Sequence, residues 1–152
     1  MTATTTSPPD PEAWRATVRS PVAQALLHSR IPARLAYHGA DGTPRVIPVW
    51  SHWDGEHLVL ATFPVSAKLK ALRDGDTVAV SIDSDQYPYQ GLQLRGKVTL
   101  TPTPGLVPEY VQSAHRHLGP DEAARFLDRL ADRPMVRITL HIHHAHLLDM
   151  RR

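Results

Sequence analysis

Residues 45–73 read RVIPVWSHWDGEHLVLATFPVSAKLKALR. Arg45–Trp53 is apolar on both faces of an extended chain, with Ile47, Val49 and Trp53 alternating on one side and Val46, Pro48 and Trp50 on the other. A strand of that kind is expected to be covered on both faces. Proline cannot donate to a strand ladder, so Pro48 predicts a bulge or a sheet edge. Asp54-Gly55 is a tight-turn pair that sends the chain back as a second strand over about His57–Thr62. Ala67–Arg73 then predicts a short helix with Leu69 and Leu72 facing inward. Ser66, Ala67 and Lys68 stand where that helix begins. Free backbone N–H groups, the positive end of the helix dipole and a lysine together make a place for a phosphate.

Outward from this stretch the pattern continues in short strands. Residues 1–10, MTATTTSPPD, are small, polar and proline-rich and read as a disordered tail, leaving 11–152 as one domain. Pro11–His28 is helical in pattern, with Asp10 as a cap and Pro11 at the first position. Pro21 divides it into two short helices, the second capped by Ser20. A strand over Ile31–His38 reaches the hairpin signal Asp41-Gly42 and returns as Arg45–Trp53. Beyond Asp74-Gly75-Asp76, Thr77–Asp83 alternates Val78, Val80 and Ile82 against Thr77, Ala79 and Ser81. The loop SDQYPYQ leads to a strand over Gly91–Leu100. A helix over Leu106–Leu118 ends at Gly119. A second follows Pro120, with Ala123, Phe126, Leu127, Leu130 and Ala131 at helical spacing. The last strand runs from Met135 to His143 or beyond. Six strands at hairpin spacing with few long crossovers imply a mainly β antiparallel barrel with helices packed outside.

Composition narrows the function. A chain of 152 residues is long enough for one real core. Lys and Arg number 17 against 15 Asp and Glu, too slight an excess for a nucleic-acid binder held by phosphate contacts. There is no cysteine, which excludes disulfides, thiolate catalysis and cysteine-ligated metal. Neither a basic-then-apolar leader nor an apolar run of membrane-spanning length is present, so the expectation is a cytoplasmic protein that engages no membrane. His141 and His143 alternate onto one strand face, a spacing that can chelate a metal, with His144 and His146 beyond them. Only Asp149 stands near as an acid, and we read a polar strand face and assign no metal. His115 and His117 fall near a helix C-terminus, where a cation suits the dipole.

The runs ARLAYHGADGTPRVIPVW, LVLATFPVSAKLKALRDGDTVAVSID and YPYQGLQLRGKVTL carry a more specific signal. The order PVW, then AT…S-x-K-x-x-x-L-R, then Y-x-G…G-K resembles the flavin-binding split-barrel family. That family includes pyridoxamine 5'-phosphate oxidase and the flavin/deazaflavin oxidoreductases. The C-terminal VRITLHIHHAHLLD is similar to its last strand. The resemblance implies a six-stranded antiparallel split β-barrel of Greek-key type, and a homodimer with FMN or the deazaflavin coenzyme F420 across the interface. It implies that Arg45 approaches the phosphate and that the backbone of Val46, Ile47, Pro48, Val49 and Trp50 lines the ring. Thr62, Ser66, Ala67 and Lys68 would form the phosphate and ribityl site, and Tyr89 and Gln90 would come from the neighbouring subunit.

The chain departs from the oxidases themselves at Ala67-Lys68, where they carry Arg-Lys, and at Trp50, where they carry a lysine. The tryptophan is more similar to the small reductases of the family, some of which use the deazaflavin. No serine-nucleophile motif, paired glutamates or glycine-rich dinucleotide loop stands out, and no catalytic residue is assigned; a flavin brings its own chemistry. The resemblance therefore implies an FMN-dependent oxidoreductase acting by hydride transfer on a small organic substrate, with F420-dependent reduction as the alternative. The histidine-rich last strand keeps open a different class, a non-catalytic module that carries flavin or haem.

Overall fold

The structure, a computed structural model, describes residues 10–151. Of the expected tail, residues 1–9 lie outside that range. Two short helices open the chain, α1 over Ala13–Arg19 and α2 over Pro21–Leu27. The Ser20 hydroxyl accepts from the Ala23 N–H at 3.3 Å, so it caps α2 as its position predicts. The Asp10 carboxylate accepts from the Glu12 N–H at 2.9 Å, one turn ahead of α1.

The strands are β1 (Ala33–His38), β2 (Pro44–Val49), β3 (His52–Trp53), β4 (Leu58–Thr62), β5 (Thr77–Asp83), β6 (Gln90–Thr103) and β7 (Met135–Asp149). They form one antiparallel sheet in the order β2-β1-β5-β6-β7-β4-β3. Seven strands stand where six were expected, because Arg45–Trp53 is two pieces. The chain leaves the ladder at Trp50-Ser51, where the Ser51 carbonyl accepts from the Ser113 hydroxyl at 3.1 Å and from the Arg116 guanidinium. A carbonyl claimed by a helix cannot serve a strand.

Two further expectations change. β2 is an edge strand, as Pro48 predicts, but Val46 is 66% exposed, so its outer face is not covered within this chain. The helix expected over Ala67–Arg73 is a single 3₁₀ turn, Ala67–Lys70. A piece this short cannot repay helix nucleation, and the chain instead drives Leu72 into the core at 2% exposure. Arg73 then closes on Asp76, its N–H donating to the carboxylate at 2.9 Å.

β6 and β7 make the longest ladder, with one register shift at Arg95/Gly96. Gly96 pairs with Ile142 and Arg95 with His144, so His143 is the extra residue of a bulge. A Cβ on Gly96 would meet the His141 carbonyl oxygen at 2.1 Å, which is why this position has no side chain. The barrel interior is filled by alternate residues, among them Leu35, Val80, Leu92, Leu94, Ile138 and Leu140, each at most 1% exposed. Trp14, Val18 and Leu27 join this core from α1 and α2. Helices α3 (Pro108–Leu118) and α4 (Pro120–Leu130) pack together and over the end of the sheet, and Arg137 of β7 donates to Glu109 of α3 at 2.9 Å. Among the described residues no helix is long and apolar enough to cross a membrane.

Candidate cofactor cleft

β4 ends at Thr62, and the chain turns through Phe63–Val65 into the 3₁₀ turn. This brings Lys68 back over the end of β4. Its ammonium donates to the Thr62 hydroxyl at 2.8 Å and to the Ser66 hydroxyl at 2.7 Å. Three of the expected site residues are therefore one cluster. An ammonium has three N–H donors, so one remains, along with the two hydroxyl protons. Burial lowers the Lys68 pKa from its ordinary value, since the charged form loses hydration. A four-residue 3₁₀ turn offers no appreciable helix dipole, so the positive character here is that of Lys68 itself.

Lys68 borders a cleft of about 420 Å³ whose other walls include Pro48, Val49, Trp50, Tyr110 and Phe126. Trp50 is held on three sides. The His117 ring is stacked on it at 5.4 Å and 6°, Tyr110 lies tilted at 5.6 Å, and Phe126 meets it edge-on at 5.5 Å. Arg116 and His117 staple this wall to the start of β1. Arg116 donates to the Ser29 carbonyl at 3.0 Å, and His117 Nδ1 lies 3.0 Å from the Arg30 carbonyl. A ring nitrogen facing a carbonyl carries the proton, so Nε2 is the acceptor that faces Arg116 at 3.3 Å. Burial, and then the Arg116 charge, lower the His117 pKa. A cationic His117 serving the helix dipole is thus replaced by a neutral ring packed against Trp50. Burial raises the Tyr110 pKa, so its phenol keeps its proton.

The remaining expected residues fall elsewhere. Arg45 is exposed and held at the β1–β2 hairpin, 3.1 Å from both Asp41 oxygens. That carboxyl is lowered to about 2, first by the Thr43 hydroxyl, then by the Thr43 N–H and Arg45. Trp50 lies five residue steps of extended chain beyond Arg45, roughly 16 Å. Val46 faces outward, Ile47 packs half-buried against the core, and Ala67 is exposed outside the cleft lining. Tyr89 is 45% exposed with Tyr87 edge-on at 5.8 Å, and the Gln90 amide donates to Asp149 at 3.2 Å. Neither lines the cleft of its own chain.

Sequence reasoning missed Tyr110 and Arg116, took His117 only as a cation at a helix C-terminus, and took Phe126 only as helix packing. The available signal was Tyr110, Ala114 and His117 at helical spacing on one face of α3. The histidines of β7 divide at the bulge. His141 and His143 border a small cleft with His57 and Trp14, and His141 Nε2 lies 2.8 Å from the Thr99 hydroxyl. His144 and His146 line a different cleft on the outer sheet face.

Residues 20–146 match the family model described as pyridoxamine 5'-phosphate oxidase. No curated protein matches the chain. Among solved structures, an F420 reductase shares 26% identity at a TM-score of 0.61, covering 81% of this chain and 94% of its own. The conserved hypothetical protein Rv2991 from Mycobacterium tuberculosis shares 24% identity at a TM-score of 0.65, covering 88% and 87%. HutZ, the haem storage protein from Vibrio cholerae, shares 14% identity at a TM-score of 0.59, covering 86% and 93%.

Proposed function

We propose, since this chain belongs to the pyridoxamine 5'-phosphate oxidase family, that it is an FMN-dependent oxidoreductase whose cofactor occupies the Lys68 cleft. The observation that carries this reading is the Lys68 ammonium, hydrogen-bonded to Thr62 and Ser66 just behind it, at the edge of an aromatic-walled cleft. A dianionic phosphate needs a cation and several short donors, and the third Lys68 N–H with the two hydroxyls supplies them. When bound, the flavin supplies the hydride chemistry. The chain's own groups bind it, orient it and keep water away. β2 is a sheet edge, so one side of its backbone is unpaired and can meet the polar rim of a ring. Trp50, fixed by His117, Tyr110 and Phe126, closes one wall. The substrate is a small organic molecule.

Two features favour a homodimer. Val46 is exposed on the very strand that meets the ring, and Tyr89 and Gln90 are absent from the cleft of their own chain. Both make sense if a second copy covers β2 and brings its Tyr89 and Gln90 to the cofactor.

The deazaflavin F420 is the second reading, favoured by the 26% identity to an F420 reductase and by Trp50 where the oxidases carry lysine. Its phosphorylated side arm would use the same cluster. The test is the absorption spectrum of the purified protein, followed by separate titrations with FMN and F420. A flavin spectrum or tight FMN binding supports the first reading, and F420 binding without FMN binding supports the second. Failure of both overturns the assignment of the cleft.

A further inference from the structure

Tyr110 stands in the first turn of α3, and other rings hold its own: Trp50 tilted at 5.6 Å, Phe126 tilted at 6.4 Å and Phe63 edge-on at 6.5 Å. The ring is half-buried and helps to line the Lys68 cleft. Its hydroxyl has no such fixture. Among the described residues it has no hydrogen-bond partner, yet no buried side-chain nitrogen or oxygen there is left unsatisfied. The phenol oxygen is therefore not buried, and it is reached from the cleft that its ring lines.

The rest of the lining shows what that hydroxyl can meet. Pro32, Pro48, Val49, Ala61 and Phe126 bring no polar side-chain atom. Lys68, Trp50 and Tyr110 do, and no carboxylate, imidazole or amide lines the cleft among the described residues. An ammonium and an indole N–H only donate. Burial raises the Tyr110 pKa, so its phenol keeps its proton at neutral pH and donates as well. An amine here would give up its water without meeting a carboxylate, whereas an oxygen lone pair finds a donor. Lys68 is already bonded to Thr62 and Ser66. Of the other two donors, only the phenol can swing its O–H about the C–O bond toward an acceptor.

We infer that the Tyr110 hydroxyl is a substrate contact in this cleft, donating its hydrogen bond to the carbonyl oxygen of an uncharged, conjugated substrate. A donor at that oxygen draws electron density toward it and makes the conjugated carbon the better hydride acceptor. The inference rests on the cofactor reading for the source of the hydride, while the hydrogen bond itself needs only the cleft.

The experiment titrates 4-dimethylaminobenzylideneacetone, a conjugated ketone, into the full chain, without and then with added FMN. Its absorption moves to longer wavelength when its oxygen accepts a hydrogen bond. Wild type is compared with Tyr110→Phe, which keeps the ring and loses the O–H, and with Lys68→Ala. FMN affinity and melting temperature are measured for each. The expected result is a red shift on binding to wild type that Lys68→Ala keeps and Tyr110→Phe loses. Tyr110→Phe should bind the ketone roughly 3- to 10-fold more weakly, the worth of one neutral hydrogen bond, and bind FMN as wild type does. An equal shift in wild type and Tyr110→Phe overturns the inference, as does a ketone that wild type binds without a shift or does not bind. FMN binding weakened in Tyr110→Phe as much as in Lys68→Ala also overturns it, because the phenol then belongs to the cofactor. FMN that fails to bind wild type overturns the cofactor reading alone, and a shift lost in Tyr110→Phe still supports the contact.

Discussion

The His117 ring lies flat on Trp50, 6° from parallel with centroids 5.4 Å apart, and its two nitrogens are committed to Arg30 and Arg116. The stack is what fixes the wall of the Lys68 cleft. It needs a neutral imidazole, because a second ring proton would point at the Arg116 guanidinium. Burial lowers the folded-state pKa of His117 below its unfolded value. The unfolded chain therefore takes up the proton first as pH falls. The stability tied to the neutral ring is complete above about pH 6.5, the ordinary histidine value, and is lost as pH falls from there through the folded-state pKa. His52, also lowered by burial, adds in the same direction. Melting temperature should thus drop between pH 7 and pH 5, and the drop should shrink in His117→Phe, which keeps a stacking ring and cannot titrate. An identical drop in the variant removes His117 from the account.

Gly96 permits the bulge between β6 and β7. In Gly96→Ala the new methyl would meet backbone oxygen, which cannot swing aside as a side-chain tip can. Relief requires moving the His141 peptide and its neighbours in the longest ladder. We expect a loss of about 2–4 kcal/mol in urea unfolding, in the upper part of the usual range for point changes. A loss under about 0.5 kcal/mol would mean the ladder relaxes freely there.

Arg116 links α3 to the Ser29 carbonyl and to Ser51 at the break between β2 and β3. Arg116→Met keeps much of the bulk but leaves the Ser29 carbonyl without that donor. The expected cost is about 1–3 kcal/mol, the penalty for leaving a polar group without its partner, toward the low end because Ser29 is only half-buried. The same variant should broaden and red-shift Trp50 emission when read in a Trp14→Phe, Trp53→Phe background. Destabilisation with unchanged emission would separate the staple from the wall it is argued to hold.

Much of the fold was legible because alternation survives in the short strands. Thr77–Asp83 stands with the bounds its pattern gave, and Pro21 and Pro120 open helices where a proline best fits. What misled was continuity. Trp50 and Ser51 look like strand, yet their partners come from α3 and α4, sixty or more residues on, and no local pattern carries that information. Ala67–Arg73 has the composition of a helix but too few residues to sustain one. At the site, Thr62, Ser66 and Lys68 were legible as a cluster because one turn joins them. Tyr110, Phe126 and His117 were not, since each sits on a helix stripe that reads as ordinary packing. Arg45 looked like a phosphate ligand by type, and within its own chain it is held at a hairpin by Asp41.

The measurement that bears most directly on the Lys68 cleft is the equilibrium titration of wild type and Lys68→Ala with FMN, followed by flavin fluorescence. Charge-assisted hydrogen bonds contribute about 1.5–3 kcal/mol each, so the variant should bind FMN roughly 10- to 150-fold more weakly. Its melting temperature without ligand should change little, because removing a half-buried ammonium is offset by leaving the buried Thr62 hydroxyl without its donor. FMN binding of equal strength in the two proteins would contradict the account and move the phosphate site away from Lys68.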